Sequence, residues 1–347
     1  MKNQDVLAMT GANTFLNTLL LKKLSVHPGI REVHIFDFRP PVVRSPKFIF
    51  HRVDLTKDKS SFEIAEILIR NKIKTFLHSA LFSGPTRNHS NHHEVESIGT
   101  FHILNAIAEA QIKKLIVSSH TFVYGARPKN PNFLSESFPI KSQGPYFVRT
   151  RADVENQIFE FANTYTDCKV TTLRFAAILG PNSTNIRAKY FLSGVVPIIL
   201  GYDLLLQFIH EEDALQALML ALYSDKFGIF NIVGKGLISL TTGIHLSGKI
   251  PVPAPSFVCK SIFRAGYVTR LWELDACMIP FFQYLCVASS EKAQRELHFK
   301  PFFSSRQALK SMLETTRLRS EGFSSPMSTL GEEQEITQKS SGFLKLN

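Results

Sequence analysis

The 347-residue sequence predicts an α/β fold, a doubly wound parallel sheet with a smaller C-terminal lobe. Short apolar runs that are typical of buried strands alternate with longer segments of helical periodicity, which is the pattern of successive βαβ units. The chain is long enough to bury a large core, and no internal repeat is evident in the sequence. These observations favour a parallel sheet with helices on both faces.

The first predicted strand, residues 6–9, leads into a turn with one glycine and then into a helical pattern. This order is similar to a dinucleotide site, T-G-x-x-G-x-x-G, whose first glycine makes the tight turn. The second glycine admits the pyrophosphate, and the third allows close packing of the helix on the strand. Thr14 and Asn17 stand in those two places, and Thr14 would crowd the phosphates, although the helix amides could still bind an anion. The predicted cofactor positions of this turn are Gly11, Thr14, Phe15 and Leu16.

A second predicted strand, residues 33–37, ends in Asp37. A carboxylate at this place accepts hydrogen bonds from the adenosine ribose hydroxyls and repels a 2′-phosphate, so it favours NAD over NADP. Arg39 acts against this preference, because a guanidinium can accept the phosphate. Asp37 also fits an ordinary turn residue at the end of a strand, so the position alone leaves both interpretations open.

Later segments continue the same order of strands, loops and helix starts. They are Asp54-Leu55, Ser79-Ala80, Gly99-Thr100 and residues 115–125, 171–181, 206–213 and 230–234. Together these segments resemble the extended short-chain dehydrogenase/reductase family, of the NAD-dependent epimerase/dehydratase type, over roughly residues 5–310. The resemblance implies a Rossmann-type fold, NAD rather than NADP as the cofactor, and a C-terminal lobe that binds the substrate. It also implies cofactor contacts at Asp54, Leu55, Ser79 and Ala80.

The family topology implies a dinucleotide-binding domain over residues 1–170 and a substrate-binding lobe over 171–315, with some later strands returning to the main sheet. Residues 316–347 are rich in Ser, Glu, Gln and Gly and lack sustained apolar periodicity. We expect this tail to be disordered.

Residues 145–155 resemble the catalytic helix of the family with its reactive side chains changed. The family carries Tyr-x-x-x-Lys followed by Ala-x-x-Glu, and alignment on the latter puts Phe147 at the tyrosine and Arg151 at the lysine. Alignment on Tyr146 instead puts Thr150 at the lysine. Tyr146 and Arg151 are separated by roughly 140° around a helix. A phenylalanine cannot exchange a proton, and an arginine is a fixed cation, so neither alignment restores the catalytic pair.

The catalytic serine or threonine of the family usually lies four residues before the tyrosine of a V-Y-G sequence, and that position is His120. Ser119 and Thr121 flank it, and either hydroxyl could be recruited by a one-residue bulge. His120 could itself donate a hydrogen bond or act as an acid or base, since its ordinary pKa is about 6.5. A loop histidine without a chemical role fits the sequence equally well.

Three functions therefore stay open. The first is a nicotinamide-dependent oxidoreductase, epimerase or dehydratase acting on a nucleotide-sugar or a sterol-like alcohol, with Tyr146 as acid or base and Arg149 or Arg151 as the cation. The second is a catalytically inactive descendant that senses a ligand or binds a partner. The third is a structural interaction module, because one fold hosts many functions.

The net charge of +11 is carried by dispersed lysines and arginines, so we expect no nucleic-acid partner. We expect no metal, because His89, His92 and His93 lack an evident further ligand. No secretory signal is visible, and a cytoplasmic location and a small-molecule ligand are expected, with a homodimer as a further possibility.

Residues 256–288 combine many aromatic and aliphatic side chains with Lys260, Arg264 and Arg270. Pro280 interrupts the segment, and its uncharged run is shorter than the roughly 20 residues that span a bilayer. One interpretation is a helical lid over the substrate pocket. The other is an interfacial segment that makes weak peripheral membrane contact and admits a lipid-like substrate.

Overall fold

The computed structural model describes residues 5–81, 89–140, 144–194, 196–270 and 275–321. Its strands are, in chain order, β1 (Asp5–Thr10), β2 (Ile30–Asp37), β3 (Phe48–Arg52), β4 (Thr75–His78), β5 (Lys114–His120), β6 (Lys169–Phe175), β7 (Ala177–Leu179), β8 (Val196–Ile199), β9 (Leu205–Leu206), β10 (Phe208–His210), β11 (Gly228–Ile232), β12 (Ile238–Ser239) and β13 (Pro251–Ala254). Seven of these strands form one parallel sheet in the order β11-β6-β5-β4-β1-β2-β3. The strand order reverses between β1 and β4, which is where ligands bind in open sheets of this kind.

The helices are α1 (Phe15–Val26), α2 (Lys59–Arg70), α3 (His89–His93), α4 (Gly99–Glu109), α5 (Tyr146–Thr164), α6 (Ile186–Leu192), α7 (Glu211–Tyr223), α8 (Leu240–Leu246), α9 (Ser256–Val268), α10 (Glu291–Glu296) and α11 (Ser305–Ser320). Helices α1 and α7 cover one face of the sheet, and α2, α4 and α5 cover the other. The predicted doubly wound α/β fold is confirmed. Both faces are dry because the central strands are apolar on both sides, as Leu115, Ile116 and Val117 of β5 illustrate.

The second half of the chain builds a smaller lobe and also returns to the main sheet. Strand β11 pairs with β6 in parallel, while the short strands β7–β10, β12 and β13 form separate pairs outside the sheet. The lobe has its own core, which contains Tyr190, Phe191, Phe263, Phe281 and Phe282. Helix α11 continues to Ser320, so the predicted start of the tail at residue 316 falls within a helix. Residues 322–347 lie outside the described part of the chain.

The aromatic segment at 256–288 is divided between the interior and the surface. Phe263, Phe281 and Phe282 are buried, whereas Phe257 and Val268 at the two ends of α9 are 71% and 72% exposed. Trp272 lies outside the described residues. Across the ranges that the structure covers, none of the helices combines the length and the apolar character that a membrane crossing requires.

Candidate functional site

The backbone of the turn after β1 packs closely against the residues that follow β4. Gly11 has a φ of +68°, and a Cβ at this position would lie 2.4 Å from the carbonyl oxygen of Ser79. Only glycine satisfies both conditions, since other residues rarely adopt this backbone conformation and none lacks a Cβ. The Ala12 amide then donates to Asp37 Oδ2 at 3.0 Å. The turn and the acid of β2 are therefore joined directly.

Asn17 fills the place of the third glycine and stabilises the turn. Its side chain is fully buried, and Nδ2 donates to the carbonyl oxygens of Gly11 at 2.9 Å and Thr10 at 3.3 Å. Thr14, in the place of the second glycine, precedes α1 and makes no side-chain capping bond. The Leu16 side chain is buried in the core and that of Phe15 is half-buried. A cofactor contact of these two residues would therefore come from their backbone.

Asp37, the residue predicted to bind the adenosine ribose, ends β2 with its carboxylate bound to backbone amides. Its Oδ1 accepts from the Phe38 amide at 2.8 Å, so each carboxylate oxygen has a backbone donor. Burial raises the pKa of the Asp37 carboxyl, and the hydrogen bonds from Phe38 and Ala12 oppose that change. Asn13 fixes the following loop, because Nδ2 donates to the Pro40 carbonyl at 3.0 Å.

Asp54 and Leu55 form the turn after β3. Asp54 Oδ1 accepts from the amide and the hydroxyl of Thr56, at 3.1 and 2.7 Å, which stabilises the turn locally. Leu55 is buried, and its carbonyl oxygen lies 2.9 Å from Nδ1 of the buried His102. This contact holds the turn against α4.

Ser79 and Ala80 follow β4 and lie behind the glycine turn. The Ser79 hydroxyl donates to Ser118 at 2.8 Å, and Ala80 is half-buried. His78 bridges Thr10 and Thr100 at 2.8 and 2.9 Å, and its burial lowers the pKa to about 3. A neutral, fully bonded histidine thus connects β1, β4 and α4.

Phe147 is buried in an aromatic cluster instead of presenting a polar group. Its ring centroid lies 6.0 Å from that of Phe122 and 5.8 Å from that of Phe281. Phe122 and Phe281 are themselves 4.7 Å apart. At this position of α5 the chain therefore offers no group that can exchange a proton.

Arg151 is buried and bound to Glu96, a residue of the π-helical segment Glu94–Ile98. Nη2 donates to Glu96 Oε1 at 2.7 Å, and Nε donates to Oε2 at 3.3 Å. His92 Nε2 lies 3.5 Å from the same carboxylate. Sequence reasoning missed Glu96, and nothing in its local sequence distinguishes it from an exposed helical acid.

Tyr146 lies at the N-terminal end of α5, and its ring meets that of Phe147 at an angle, with centroids 6.0 Å apart. Its ring stacks on His89 with centroids 3.6 Å apart and meets the edge of His92 at 5.5 Å. Together with Arg149 and Asp153 it borders an open cleft of about 330 Å³. Tyr146 therefore lies between α3 and this cleft, whereas Arg151 is buried against Glu96, as their predicted separation around the helix implies.

Ser119 belongs to a buried polar network. Its hydroxyl donates to Glu155 Oε1 at 2.5 Å, and Arg174 Nε donates to Glu155 Oε2 at 2.9 Å. Arg174 Nη1 also donates to the Tyr124 hydroxyl at 2.8 Å. The Ser119 hydroxyl is thus hydrogen-bonded to the Glu155–Arg174 ion pair, and this network joins β5, α5 and β6.

His120 ends β5 as a neutral hydrogen-bond donor. Nδ1 accepts from the Phe122 amide at 3.1 Å, so the neutral ring carries its proton on Nε2. Burial, and then the charges of Arg151 and Arg187, lower the pKa of His120 to about 3. His120 can therefore polarise a carbonyl by donation from Nε2, but it does not serve as a cationic acid near neutral pH.

A small cavity of about 20 Å³ lies beside these residues, between the loop after β5 and the small lobe. Its polar lining includes Thr121, Arg187, Gln207 and Cys286, and Phe122 and Phe281 form apolar walls. Within the described ranges, no group of three His, Cys, Asp or Glu side chains is arranged to hold a metal.

The residues at this end of the site fit a dinucleotide. A carboxylate stands at the end of β2, next to a turn that has no room for a Cβ, and the amides of α1 begin directly after that turn. The Thr14 side chain is the feature that fits less well, because glycine at this place lets the backbone approach the pyrophosphate.

Comparison with known proteins agrees with this geometry. The model of the NAD dependent epimerase/dehydratase family matches residues 7–232. An uncharacterised protein of Mycobacterium tuberculosis is 29% identical over 316 residues, which cover 87% of this chain and 82% of that protein.

Two solved structures show the same fold at low sequence identity. The UDP-glucose 4-epimerase of Thermotoga maritima with UDP-glucose is 18% identical, with a TM-score of 0.69, and the match covers 91% of this chain and 99% of that one. The UDP-glucuronic acid 4-epimerase of Bacillus cereus, in complex with UDP-glucuronic acid and NAD, is also 18% identical, with a TM-score of 0.69 and coverage of 90% and 99%. Since the family model spans the glycine turn, Asp37, His120 and α5, this chain belongs to the NAD-dependent epimerase/dehydratase family.

Proposed function

We propose that this protein binds NAD and a nucleotide-linked sugar and does not carry out hydride transfer by the tyrosine-dependent route. NAD binding is supported by the Gly11 turn, whose next amide is joined to Asp37, and by membership of the family. When bound, NAD supplies the hydride acceptor. The chain's own residues must then supply the proton transfer, and that is where this site differs.

The observation that carries the proposal is the burial of Phe147 at the tyrosine position. A ring that is 4% exposed and packed against Phe122 and Phe281 cannot accept a proton from a substrate hydroxyl. The neighbouring cation, Arg151, is bound to Glu96 and is not available to depress the pKa of a phenol. A binding protein explains both features, because each stabilises the fold without serving chemistry.

A second candidate, an oxidoreductase that uses His120, is favoured by one observation. The orientation of His120 leaves Nε2–H as a donor, and a neutral imidazole can polarise a carbonyl. Such a site would bind a ketone well but would lack a base to remove the proton of an alcohol. The same proton must move in both directions, so water that reaches His120 Nε2 would have to give it in reduction and take it back in oxidation.

A nucleotide-linked sugar is the ligand class that the surroundings favour over a sterol-like alcohol. The related solved structures carry UDP-glucose in one case and UDP-glucuronic acid in the other. The cavity beside Phe122 contains a guanidinium and an amide, from Arg187 and Gln207, and a sterol nucleus would leave such polar groups without partners.

The test has two steps. Calorimetric titration should show binding of NAD, with weaker binding of NADP, and the NAD-loaded protein should then bind UDP-glucose or UDP-glucuronic acid. The same complexes, followed by NADH absorbance at enzyme concentrations that report a single turnover, should show no reduction. Absence of heat with both dinucleotides contradicts the proposal that the protein binds NAD. NADH formation by the wild type contradicts the proposal that it does not transfer a hydride.

A further inference from the structure

Arg187 is a buried cation that has no acidic partner among the residues that the structure describes. Arg187 is 5% exposed, and its Nη2 donates a hydrogen bond to the Phe281 carbonyl oxygen at 3.1 Å. Its guanidinium carbon lies 4.8 Å from the ring centre of Phe282 and 5.7 Å from that of Phe122. Nη1 is buried and has no hydrogen-bond partner among the described residues.

Two other buried arginines near the site are each paired with a buried glutamate. Arg151 is paired with Glu96, and Arg174 is paired with Glu155. Over the same described ranges, Arg187 forms no ion pair with an aspartate or glutamate. Burial lowers its pKa to about 10, so the guanidinium remains charged at neutral pH. An unpaired buried charge is costly, so an anionic group of a bound ligand would stabilise it.

We propose that Arg187 binds a carboxylate of the ligand, so that the nucleotide-linked sugar is a uronic acid or another sugar acid. This inference rests on the proposed function and names the substrate class of the same site. Nη1 is the atom that would donate, and its partner would enter the cavity between Thr121, Gln207 and Cys286. A charge-assisted hydrogen bond of this kind is among the stronger polar contacts in proteins.

The position of Arg187 favours a carboxylate over the diphosphate of the same ligand. Its guanidinium contacts Phe122, and Phe122 contacts Phe147, so Arg187 is one aromatic ring away from the position where the family's catalytic tyrosine stands. The cavity of about 20 Å³ has space for little more than one water, so a single carboxylate that displaces this water is the better match than a diphosphate with its ester links. The recognised anion therefore lies beside the reacting carbon of the sugar.

The experiment compares two ligands that differ only in this group. UDP-glucuronic acid and UDP-glucose are titrated by calorimetry into the NAD-loaded protein, in the wild type and in Arg187→Met. Methionine keeps apolar contact with Phe122 and Phe282 and removes the charge. We expect the wild type to prefer UDP-glucuronic acid by about 10- to 100-fold, which is the range of a charged hydrogen bond, and Arg187→Met to lose the preference. Arg306→Met, which removes an equal charge from an exposed site on α11, should keep it.

The outcomes separate this inference from the function on which it rests. Equal affinity of the wild type for the two UDP-sugars overturns the role of Arg187 and leaves the proposed function intact. If neither UDP-sugar binds, the nucleotide part of the proposed function fails, and free glucuronate against free glucose becomes the probe. A rise in thermal unfolding temperature with glucuronate alone, absent in Arg187→Met, then supports the carboxylate site, and no rise overturns it. Should Arg187→Met fail to fold, Arg187→Lys retains the charge at a shorter reach and should weaken the preference without abolishing it.

Discussion

Arg151 donates two hydrogen bonds to Glu96, from Nη2 to Oε1 at 2.7 Å and from Nε to Oε2 at 3.3 Å, and both residues are buried. Arg151 is thus part of an ion pair between α5 and the segment before α4. The planar guanidinium suits this place, because its fork matches a carboxylate and a lysine ammonium would not. The Arg151 charge therefore supports the packing of α5 on the segment before α4.

The first prediction is that Glu96→Ala lowers the free energy of unfolding by about 3–5 kcal/mol, since it leaves the Arg151 charge buried without its carboxylate. Replacing both residues, as Glu96→Leu with Arg151→Met, should recover most of this loss because no charge is then left buried. Urea denaturation of the single and double variants measures the difference. Glu63→Ala is the matched control, because its pair with Lys59 is exposed and should cost less than about 0.5 kcal/mol. A Glu96→Ala loss as small as that of the control would contradict the structural role.

The second prediction compares Thr14 and Asn17, which stand in the places of the second and third glycines of the turn. Thr14→Gly should tighten NAD binding with a change in stability of a few tenths of a kcal/mol, since Thr14 makes no capping bond with its side chain. Asn17→Gly should instead destabilise the protein by about 1–3 kcal/mol, because it removes the hydrogen bonds to Thr10 and Gly11. Calorimetry with NAD and urea denaturation distinguish the two effects. The opposite ranking of the two stability losses would mean that Asn17 is not what holds the turn.

The third prediction concerns the pH dependence of NAD binding through Asp37. Burial raises the pKa of this carboxyl above its ordinary value of 3.8, and the ribose requires the ionised form. NAD affinity should therefore fall on acidification at a higher pH than an ordinary aspartate would produce. A raised pKa in the folded state means that the folded protein binds this proton more tightly than the unfolded chain does. The Asp37 contribution to the free energy of unfolding should therefore rise, not fall, over the pH range in which NAD affinity falls. Asp37→Asn should bind NAD weakly and lack this pH dependence, and an unchanged pH profile in that variant would exclude Asp37 as the titrating group.

Much of the fold could be predicted from the sequence, because each of the main strands is marked by its own run of apolar residues. The apolar runs of β1, β2 and β5 and the glycine turn are local features, and the predicted doubly wound sheet follows from their order. The site was less accessible, because its important contacts are remote in sequence. Glu96 and Arg151 are 55 residues apart, and Phe147 meets Phe281 only through the packing of the small lobe on α5.

Side chains in altered motif positions also have roles that substitution patterns do not reveal. Asn17 appears in the sequence as a missing glycine, whereas the structure gives it two hydrogen bonds that close the turn. Arg187 stands in an unremarkable helical stretch, and only the three-dimensional arrangement shows that it lacks an acidic partner among the described residues. Burial and pairing, which decide the chemistry of charged groups, depend on the whole fold.

The fourth prediction concerns the outer face of α9. Phe257 and Val268 are eleven residues apart, close to three helical turns, so they share one face with the exposed basic residues Lys260 and Arg264. We expect weak, salt-sensitive co-sedimentation with anionic vesicles, because only two large apolar side chains of α9 are available for burial there. Phe257→Ser with Val268→Ser should abolish it, whereas Phe62→Ser, at a similarly exposed aromatic residue of α2, should not. Sedimentation that is insensitive to both salt and the α9 variant would remove this surface from consideration.

The fifth prediction tests whether the altered catalytic positions account for the expected lack of turnover. Phe147→Tyr alone should not yield NADH from a UDP-sugar, because the new hydroxyl enters a cluster with Phe122 and Phe281 while Arg151 stays bound to Glu96. The triple variant His120→Ser, Phe147→Tyr, Arg151→Lys should show trace formation of NADH in single-turnover absorbance measurements, since it restores the hydroxyl, the base and the mobile ammonium together. Its stability should be lower than that of the wild type, because lysine cannot reproduce the two-bond contact with Glu96. If the wild type itself reduces a keto-sugar with NADH and His120→Ala abolishes that activity, the imidazole Nε2–H is the operating donor. The second candidate function then replaces the first.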